Sequence, residues 1–219
     1  MIQNEEMVRK ALHAELPRRW TFGNEVLYRM CFEHPYHNNN EEIIGKIWLI
    51  GRSYAASIER RQNVKETNDD FYYGTVAPNI RRIGSDLDCK IEVLKHDGKS
   101  AAEDIGLILE THKLLQTAFE KITELKKRSL ASKYLHFHVP SKFFIYDSRA
   151  NRHITEIVHK PLKYYLNEPD NEEDEYKTFT CRMLELAELW RDELGYEPSP
   201  RELDTFLLME DSKWDTLLC

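Results

Sequence analysis

The chain has 219 residues, of which 41% are hydrophobic and 32% charged, which is the composition of a folded globular protein rather than a disordered one. Only eight glycines and eight prolines are present, too few for the turns of a many-stranded sandwich or barrel, so helices are favoured. No run of about 18 apolar residues exists, so we expect no membrane span. The four cysteines are dispersed and the acidic start lacks a secretory pattern, which predicts reduced thiols, a cytoplasmic location and no metal or other cofactor.

The formal net charge of −7 conceals a basic stretch in the middle of the chain. Residues 126–163 contain nine lysines and arginines against two acidic residues, and aromatic side chains are interleaved with them. Cations alternating with stacking side chains are the pattern expected of a nucleic-acid-binding surface. A helical pair with solvated basic faces would give the same charge count.

Apolar periodicity and capping residues predict an all-α chain. The elements expected in the first half are, in chain order, a helix over 3–16, an irregular stretch over 17–40 with one helical turn near 24–33, a helix over 41–62, a helix from 69 or 78 to 94, and a turn at 96–98. Those expected in the second half are a helix capped by Ser100, a helix over 130–138, an extended segment at 143–145, a helix over 148–159, an acidic loop over 167–175, a helix over 176–194 and a short helix from 199. We expect one compact unit, or two packed helical subdomains covering about 1–98 and 99–219.

The stretch Ser129–Arg149, SLASKYLHFHVPSKFFIYDSR, carries the most chemical information. A helix ends near Pro140, an aromatic extended segment follows, and a single aspartate, Asp147, stands at the start of the next helix. Cleavage of an N-glycosidic bond builds positive charge on the sugar, and a carboxylate in this position can stabilise that charge or activate a water molecule. Aspartate is also a favoured N-cap, which would be a purely structural role.

This stretch resembles the second half of the motif of the helix-hairpin-helix DNA glycosylases, where a helix leads through P-x-x-F-P-V-D to an aspartate. The equivalent here is Pro140-Ser-Lys-Phe-Phe-Ile-Tyr-Asp147. ASKYLHFH…FFIYDSRA is more closely similar to bacterial proteins described as 8-oxoguanine-DNA-glycosylase-like. The resemblance covers about 25 residues, and the WLIGRSYAASIERR segment (48–61) fits the same helical layout. It implies a monomeric helix-hairpin-helix-glycosylase-like fold with the active-site cleft between two subdomains.

The resemblance also implies a function and a set of site residues. The chain would flip a modified base out of duplex DNA and excise it, either in repair or in defence against phage with modified bases. Asp147 is the expected catalytic carboxylate. The expected DNA-binding residues are Lys126, Lys127, Arg128, Ser129, Arg149 and Arg152. The expected base pocket consists of Trp48, Arg52, Tyr54, Tyr134, His136, Phe144 and Tyr146.

Two features depart from the family pattern. No glycine occurs from Leu107 to Leu194, so the turn at 126–129 would have to hold a DNA phosphate with side chains instead of a glycine-rich backbone nest. Members with lyase activity carry a Schiff-base lysine, for which the register suggests Lys127. Lys133 has more apolar neighbours in sequence, and an amine nucleophile needs desolvation or a cationic neighbour, so we expect Lys133 if either acts. A monofunctional enzyme needs neither lysine.

Two alternatives remain open. The spacing of Arg152 and His159 fits the loose R-x(4–6)-H pattern of the all-helical HEPN-type ribonucleases, provided that both lie on one helix. The chain could also be a helical nucleic-acid-binding protein without catalysis, in which Asp147 is only a cap. Formation of abasic sites distinguishes the glycosylase from both. Metal chemistry is not expected, because His136 and His138 point to different sides of a helix.

Overall fold

The computed structural model describes residues 2, 5–18, 20–61, 67–161 and 174–209. All regular elements in these ranges are helical, and the extended backbone there pairs only in an antiparallel bridge between Ile2 and Val158. The all-α prediction is therefore confirmed. No helix among the described residues is long and apolar enough to cross a membrane.

The chain forms two compact units, which we call the central unit (Trp20–Phe143) and the terminal unit (Met1–Arg19 with Phe144–Cys219). The division expected from the sequence near residue 98 is not the one observed. The helices on either side of residue 98 pack closely against each other, so both belong to the central unit.

The central unit contains α2 to α7 around one apolar core. Their bounds are α2 Thr21–Glu33, α3 Asn40–Ser53, α4 Asn68–Asp70, a π-helical segment Phe71–Val76, α5 Ala77–His96, α6 Ile105–Thr123 and α7 Arg128–His138. The core is formed by apolar faces from these helices, with Ile47, Ile80, Leu115 and Leu135 fully buried. Burial of such side chains contributes roughly 1.5–3 kcal/mol each relative to exposure, so these faces determine the packing.

The terminal unit is built on a long helix. Its elements are α1 Glu5–Leu12, α8 Ser148–Ile157, α9 Asp174–Leu194 and α10 Pro200–Leu207. Helix α9 packs against the other three, and Trp190 and Phe206 meet edge to face in the core. Ser199 and Glu202 form a capping box at the start of α10, whose position agrees with the predicted short helix from 199, and Gly195 adopts a left-handed φ of 76° after α9.

Helix α2 was not predicted at its full length, because the sequence suggested one turn in an irregular stretch. Its exposed side carries Phe22 and Phe32, which are 76% and 84% accessible, so no clean apolar stripe is visible in the sequence. Helix α3 ends at Ser53, well before residue 62, because Ala55 takes a left-handed φ of 51° and the Ala56 N–H bonds the Gly51 carbonyl. The Ser100–Glu103 capping bonds form as predicted, but the α-helix begins only at Ile105.

Gly84 on α5 allows the loop before α3 to approach closely. A Cβ at Gly84 would lie 2.7 Å from the His37 carbonyl oxygen, whereas a Cβ at Gly45 on α3 would meet nothing within 4 Å. We predict that Gly84→Ala lowers the free energy of unfolding by about 1–3 kcal/mol through overpacking. Gly45→Ala should instead raise it by roughly 0.5–1 kcal/mol, because alanine is the better helix former. Urea unfolding of both variants tests this, and equal effects of the two substitutions would contradict it.

Candidate functional site

Asp147 lies at the end of a buried extended segment in the terminal unit. Phe144, Ile145 and Tyr146 are buried, while the Asp147 side chain is half-buried. The segment is held by α9, since the Tyr176 hydroxyl donates to the Phe144 carbonyl at 3.0 Å and the Tyr146 hydroxyl donates to Glu175. Its aromatic residues therefore fix the position of Asp147 by packing.

The Asp147 carboxylate caps α8. Its Oδ1 accepts a hydrogen bond of 3.0 Å from the Arg149 backbone N–H, and its backbone is extended, as in a regular N-cap. The catalytic and the capping interpretations of Asp147 both expect its carboxylate at the start of α8, which is where it lies. Negative charge is favourable at a helix N-terminus, and the capping hydrogen bond also fixes the orientation of the Asp147 carboxylate.

Helix α8 presents two of the predicted DNA-binding residues to solvent. Arg149 and Arg152 are exposed, and the Arg152 guanidinium also contacts the His153 ring at 3.1 Å. His159 is exposed as well, but α8 ends at Ile157, so it does not share a helix with Arg152. The prediction that Arg152 and His159 lie on one helix, on which the resemblance to the HEPN-type pattern depended, is therefore wrong.

The start of α7 carries the other predicted phosphate contacts. Lys126 is exposed, Lys127 is the N-cap residue, and Arg128 and Ser129 form the first turn, both half-buried. The Lys127 amine donates to the Ser57 carbonyl at 3.0 Å. Burial, together with the positive charge of Arg60, lowers the pKa of Lys127 to about 8.

This pKa corrects one expectation. From the sequence, Lys127 belonged to a charged turn and was not expected to be desolvated. In the structure the loop after α3 (residues 54–61) partly buries the Lys127 amine. The amine therefore gains and loses its proton at a pH closer to neutral than that of an exposed lysine.

Lys133 is buried in α7, as expected. Its amine donates to the Ser129 hydroxyl at 2.8 Å and lies 5.7 Å from the centre of the Tyr54 ring. The Tyr54 ring is half-buried, and its hydroxyl donates to Asn24 at 2.6 Å. Lys133 and Tyr54, two of the predicted site residues, are thus brought together in the central unit.

Most of the predicted base pocket lies in the apolar cores. Tyr134 and His136 are fully buried in the central unit, and Phe144 and Tyr146 are buried in the terminal unit, so these four side chains are closed to a base in this structure. The ring of His136 bridges two elements, donating from Nδ1 to the Phe143 carbonyl at 2.8 Å and accepting at Nε2 from the Tyr28 hydroxyl at 2.6 Å.

Trp48 and Arg52 lie on the exposed side of α3. Trp48 is 44% accessible, which leaves it as the predicted pocket aromatic with the most open ring. Arg52 is exposed, but its Nη2 donates to both carboxylate oxygens of Glu59, at 2.7 and 2.5 Å. Its guanidinium holds the loop after α3, which is a structural role that the sequence did not indicate.

The basic stretch is divided between the two units. Its aromatic residues are core residues, and its residues up to 143 belong to the central unit while the rest belong to the terminal unit. Lys142 is buried, bonded to Asp104 and to Asp97 at 3.2 Å, so its charge is neutralised internally. Tyr164, Tyr165 and Lys163 lie outside the described residues. The predicted alternation of cations and stacking rings is therefore wrong for the described residues of this stretch, because its rings face inward.

A buried polar network in the central unit was missed by sequence reasoning. The Nδ1–H of His37 donates to Asp88 at 2.5 Å, and its Nε2 accepts from the Tyr134 hydroxyl at 2.7 Å. The His138 ring packs on both, and neither of its nitrogens has a hydrogen-bond partner among the described residues. Beside His37 and Asp88 lies an open cleft of about 530 Å³, which Arg81 also lines. The partners are 51 and 97 residues from His37, so no local pattern could have revealed them.

Comparisons of the chain with protein-family models, with curated proteins and with solved structures found no match. Within the described residues, no group of three or more histidine, cysteine or acidic side chains is placed to hold a metal ion.

Proposed function

We propose that the chain is a DNA glycosylase of the helix-hairpin-helix type that removes a modified base from duplex DNA. The observation that carries the proposal is the geometry of Asp147, a half-exposed carboxylate fixed at the N-terminus of α8 by a hydrogen bond to the Arg149 N–H. The resemblance over residues 129–149 supplies the reaction. The exposed Arg149 and Arg152 supply phosphate contacts on the same helix.

The reaction requires an anion near the sugar. As the bond between C1′ and the base breaks, positive charge develops on the sugar, and the Asp147 carboxylate stabilises it. A water molecule then forms the new bond to C1′, and its proton passes through the carboxylate to the departing base. The products are the free base and an abasic site, with no cofactor consumed.

A non-catalytic nucleic-acid-binding role is the alternative that the structure supports by a specific observation. The hydrogen bond from the Arg149 N–H to Asp147 is a sufficient structural reason for an aspartate at this position. In that case α8 and the start of α7 would bind DNA and leave every base in place.

A panel of labelled duplexes separates these two functions. Each duplex carries one modified base, for example 8-oxoguanine, uracil or 5-hydroxymethyluracil, and is incubated with the protein and then heated in alkali. Strand breaks at the modified base in one or more duplexes support the glycosylase. Binding to the duplexes without strand breaks in any of them supports the non-catalytic role.

Borohydride trapping tests whether a lysine takes part. A Schiff-base lysine adds its amine to C1′ as the base departs, and borohydride reduces the imine to a stable protein–DNA bond. We expect excision without a trapped adduct, because a water molecule and Asp147 are sufficient. An adduct lost in Lys133→Ala and kept in Lys127→Ala would contradict this and identify Lys133, and the reverse pattern would identify Lys127, whose pKa of about 8 leaves a reactive fraction of free amine.

A further inference from the structure

The loop after α3, residues 54–61, is held in place by contacts with α3 and with its own residues, and we call it the platform. It folds back on α3 so closely that a Cβ at Gly51 would lie 3.3 Å from the Ser57 Cα. Glu59 anchors it, since its carboxylate accepts from Arg52 and its backbone N–H donates to the Ser57 hydroxyl at 3.2 Å. Further along, the Arg61 guanidinium stacks on the Phe71 ring at 3.8 Å.

This platform brings a second cation to the start of α7. The Ser57 carbonyl receives the Lys127 amine at 3.0 Å, and Arg60, three residues further on, is exposed and close enough to lower the pKa of Lys127. Among the described residues, Arg60 has no carboxylate partner, and the groups acting on the Lys127 amine are its burial and Arg60, with no acidic side chain. Lys126 and Arg128 adjoin Lys127 in sequence and add positive charge.

Two like charges held together cost free energy unless an anion joins them. The residues that hold the loop in place, Arg52 and Glu59, are paired with each other, so the platform itself does not need Arg60. A phosphodiester group between Arg60 and Lys127 would pair with both cations, and these two attractions would offset the repulsion between the cations.

We propose that Arg60 and Lys127 jointly bind one phosphodiester group of a DNA strand, so that the loop after α3 is a second DNA-binding element beside the start of α7. This inference rests on the proposed function in that it takes DNA as the partner. It replaces the missing glycine-rich nest by a pair of side chains from two separate elements. It also makes binding depend on pH, because the Lys127 amine must be protonated to hold the phosphate.

The test uses the full chain and a fluorescein-labelled 20-base-pair duplex, with the dissociation constant measured by anisotropy as a function of salt and pH. Arg60→Gln should weaken binding roughly tenfold, since a charge-assisted hydrogen bond is lost, and should lower the salt slope by about 0.9. The matched control is Arg82→Gln, which removes an exposed arginine of α5 in the same unit and should change neither quantity.

The pH series adds a second readout. Wild-type affinity should fall above pH 8 by at most about tenfold per pH unit, which is the limit for one linked proton. Lys127→Arg keeps the positive charge at all these pH values and should abolish the dependence while retaining affinity.

Each outcome has a distinct meaning. An unchanged salt slope in Arg60→Gln, or a pH dependence that persists in Lys127→Arg, would overturn the paired site while leaving DNA binding intact. Absence of wild-type binding would overturn both this inference and the proposed function. Binding with the expected variant effects but no base excision would overturn only the glycosylase.

Discussion

Asp147→Asn should lower the rate of base excision by at least about a hundredfold, which is the lower end of the effect of a positioned acid–base group. The substitution removes the negative charge that stabilises the sugar cation and accepts the proton of the water molecule. Asparagine is as good an N-cap as aspartate, so the hydrogen bond to the Arg149 N–H is retained and the fold should be unaffected. Single-turnover excision on the most reactive duplex of the panel, together with urea unfolding, measures both quantities.

Two further variants separate charge from capping. Asp147→Ala removes both the charge and the cap, so it should lower the excision rate by a similar factor and the free energy of unfolding by about 1 kcal/mol. Asn39→Ala removes the cap of α3, where the Asn39 side chain accepts from the Glu41 N–H at 2.9 Å, and should lose similar stability without changing the excision rate of folded protein. Excision by Asp147→Asn at the wild-type rate would assign Asp147 to capping alone.

The part of the candidate site that the sequence predicted is the part encoded locally. Pro140, the extended segment and Asp147 follow one another within eight residues, and proline, extended aromatics and an N-cap each have a conformational preference of their own. Similar local signals placed the start of α10 correctly. Such features can be predicted without knowing which elements pack against each other.

The orientation of the aromatic side chains could not be predicted in this way. Tyr134 and Tyr146 alternate with cations in the sequence, which indicates a stacking surface as readily as a core. Which side they face depends on elements far away in the chain, since Tyr134 bonds His37 and Tyr146 bonds Glu175. Conversely, Lys127 was assigned to solvent, because nothing near it in sequence shows that Ser57 covers its amine.

The His37–Asp88–Tyr134 network with His138 has a consequence for stability in acid. Burial is the main reason why the pKa of His37 lies below its usual value, and the nearby Lys46 and Lys95 charges lower it further, while Asp88 partly opposes them. For His138, complete burial together with Lys46, His37 and Lys95 lowers the pKa well below its usual value. Tyr134 and Cys31, the other titratable groups nearby, stay protonated because burial raises their pKa values. Both histidines are therefore neutral in the folded chain at neutral pH.

A histidine with a lowered folded pKa contributes stability above its unfolded pKa of about 6.5, and this contribution is lost as the pH falls below that value, because the unfolded chain then binds the proton more tightly. We predict that the free energy of unfolding decreases as the pH falls below 6.5, with a contribution of at most about 1.4 kcal/mol per pH unit from each histidine. Asp97, whose pKa is lowered to about 2, changes the free energy of unfolding only at more acid pH, so it does not contribute to the slope between pH 6.5 and 5.

Urea unfolding at pH 7.5, 6.5, 5.8 and 5.0 tests this in the wild type and in His138→Leu. The variant removes one titrating ring and replaces two nitrogens that lack partners in the described structure with apolar atoms of similar volume. Its slope should therefore be smaller than that of the wild type, whatever its absolute stability. His96→Gln, which changes an exposed histidine on α5, should keep the wild-type slope. Stability that does not change between pH 7.5 and 5.0 would contradict the lowered pKa values of both rings, and equal slopes in the wild type and His138→Leu would contradict the lowered pKa of His138.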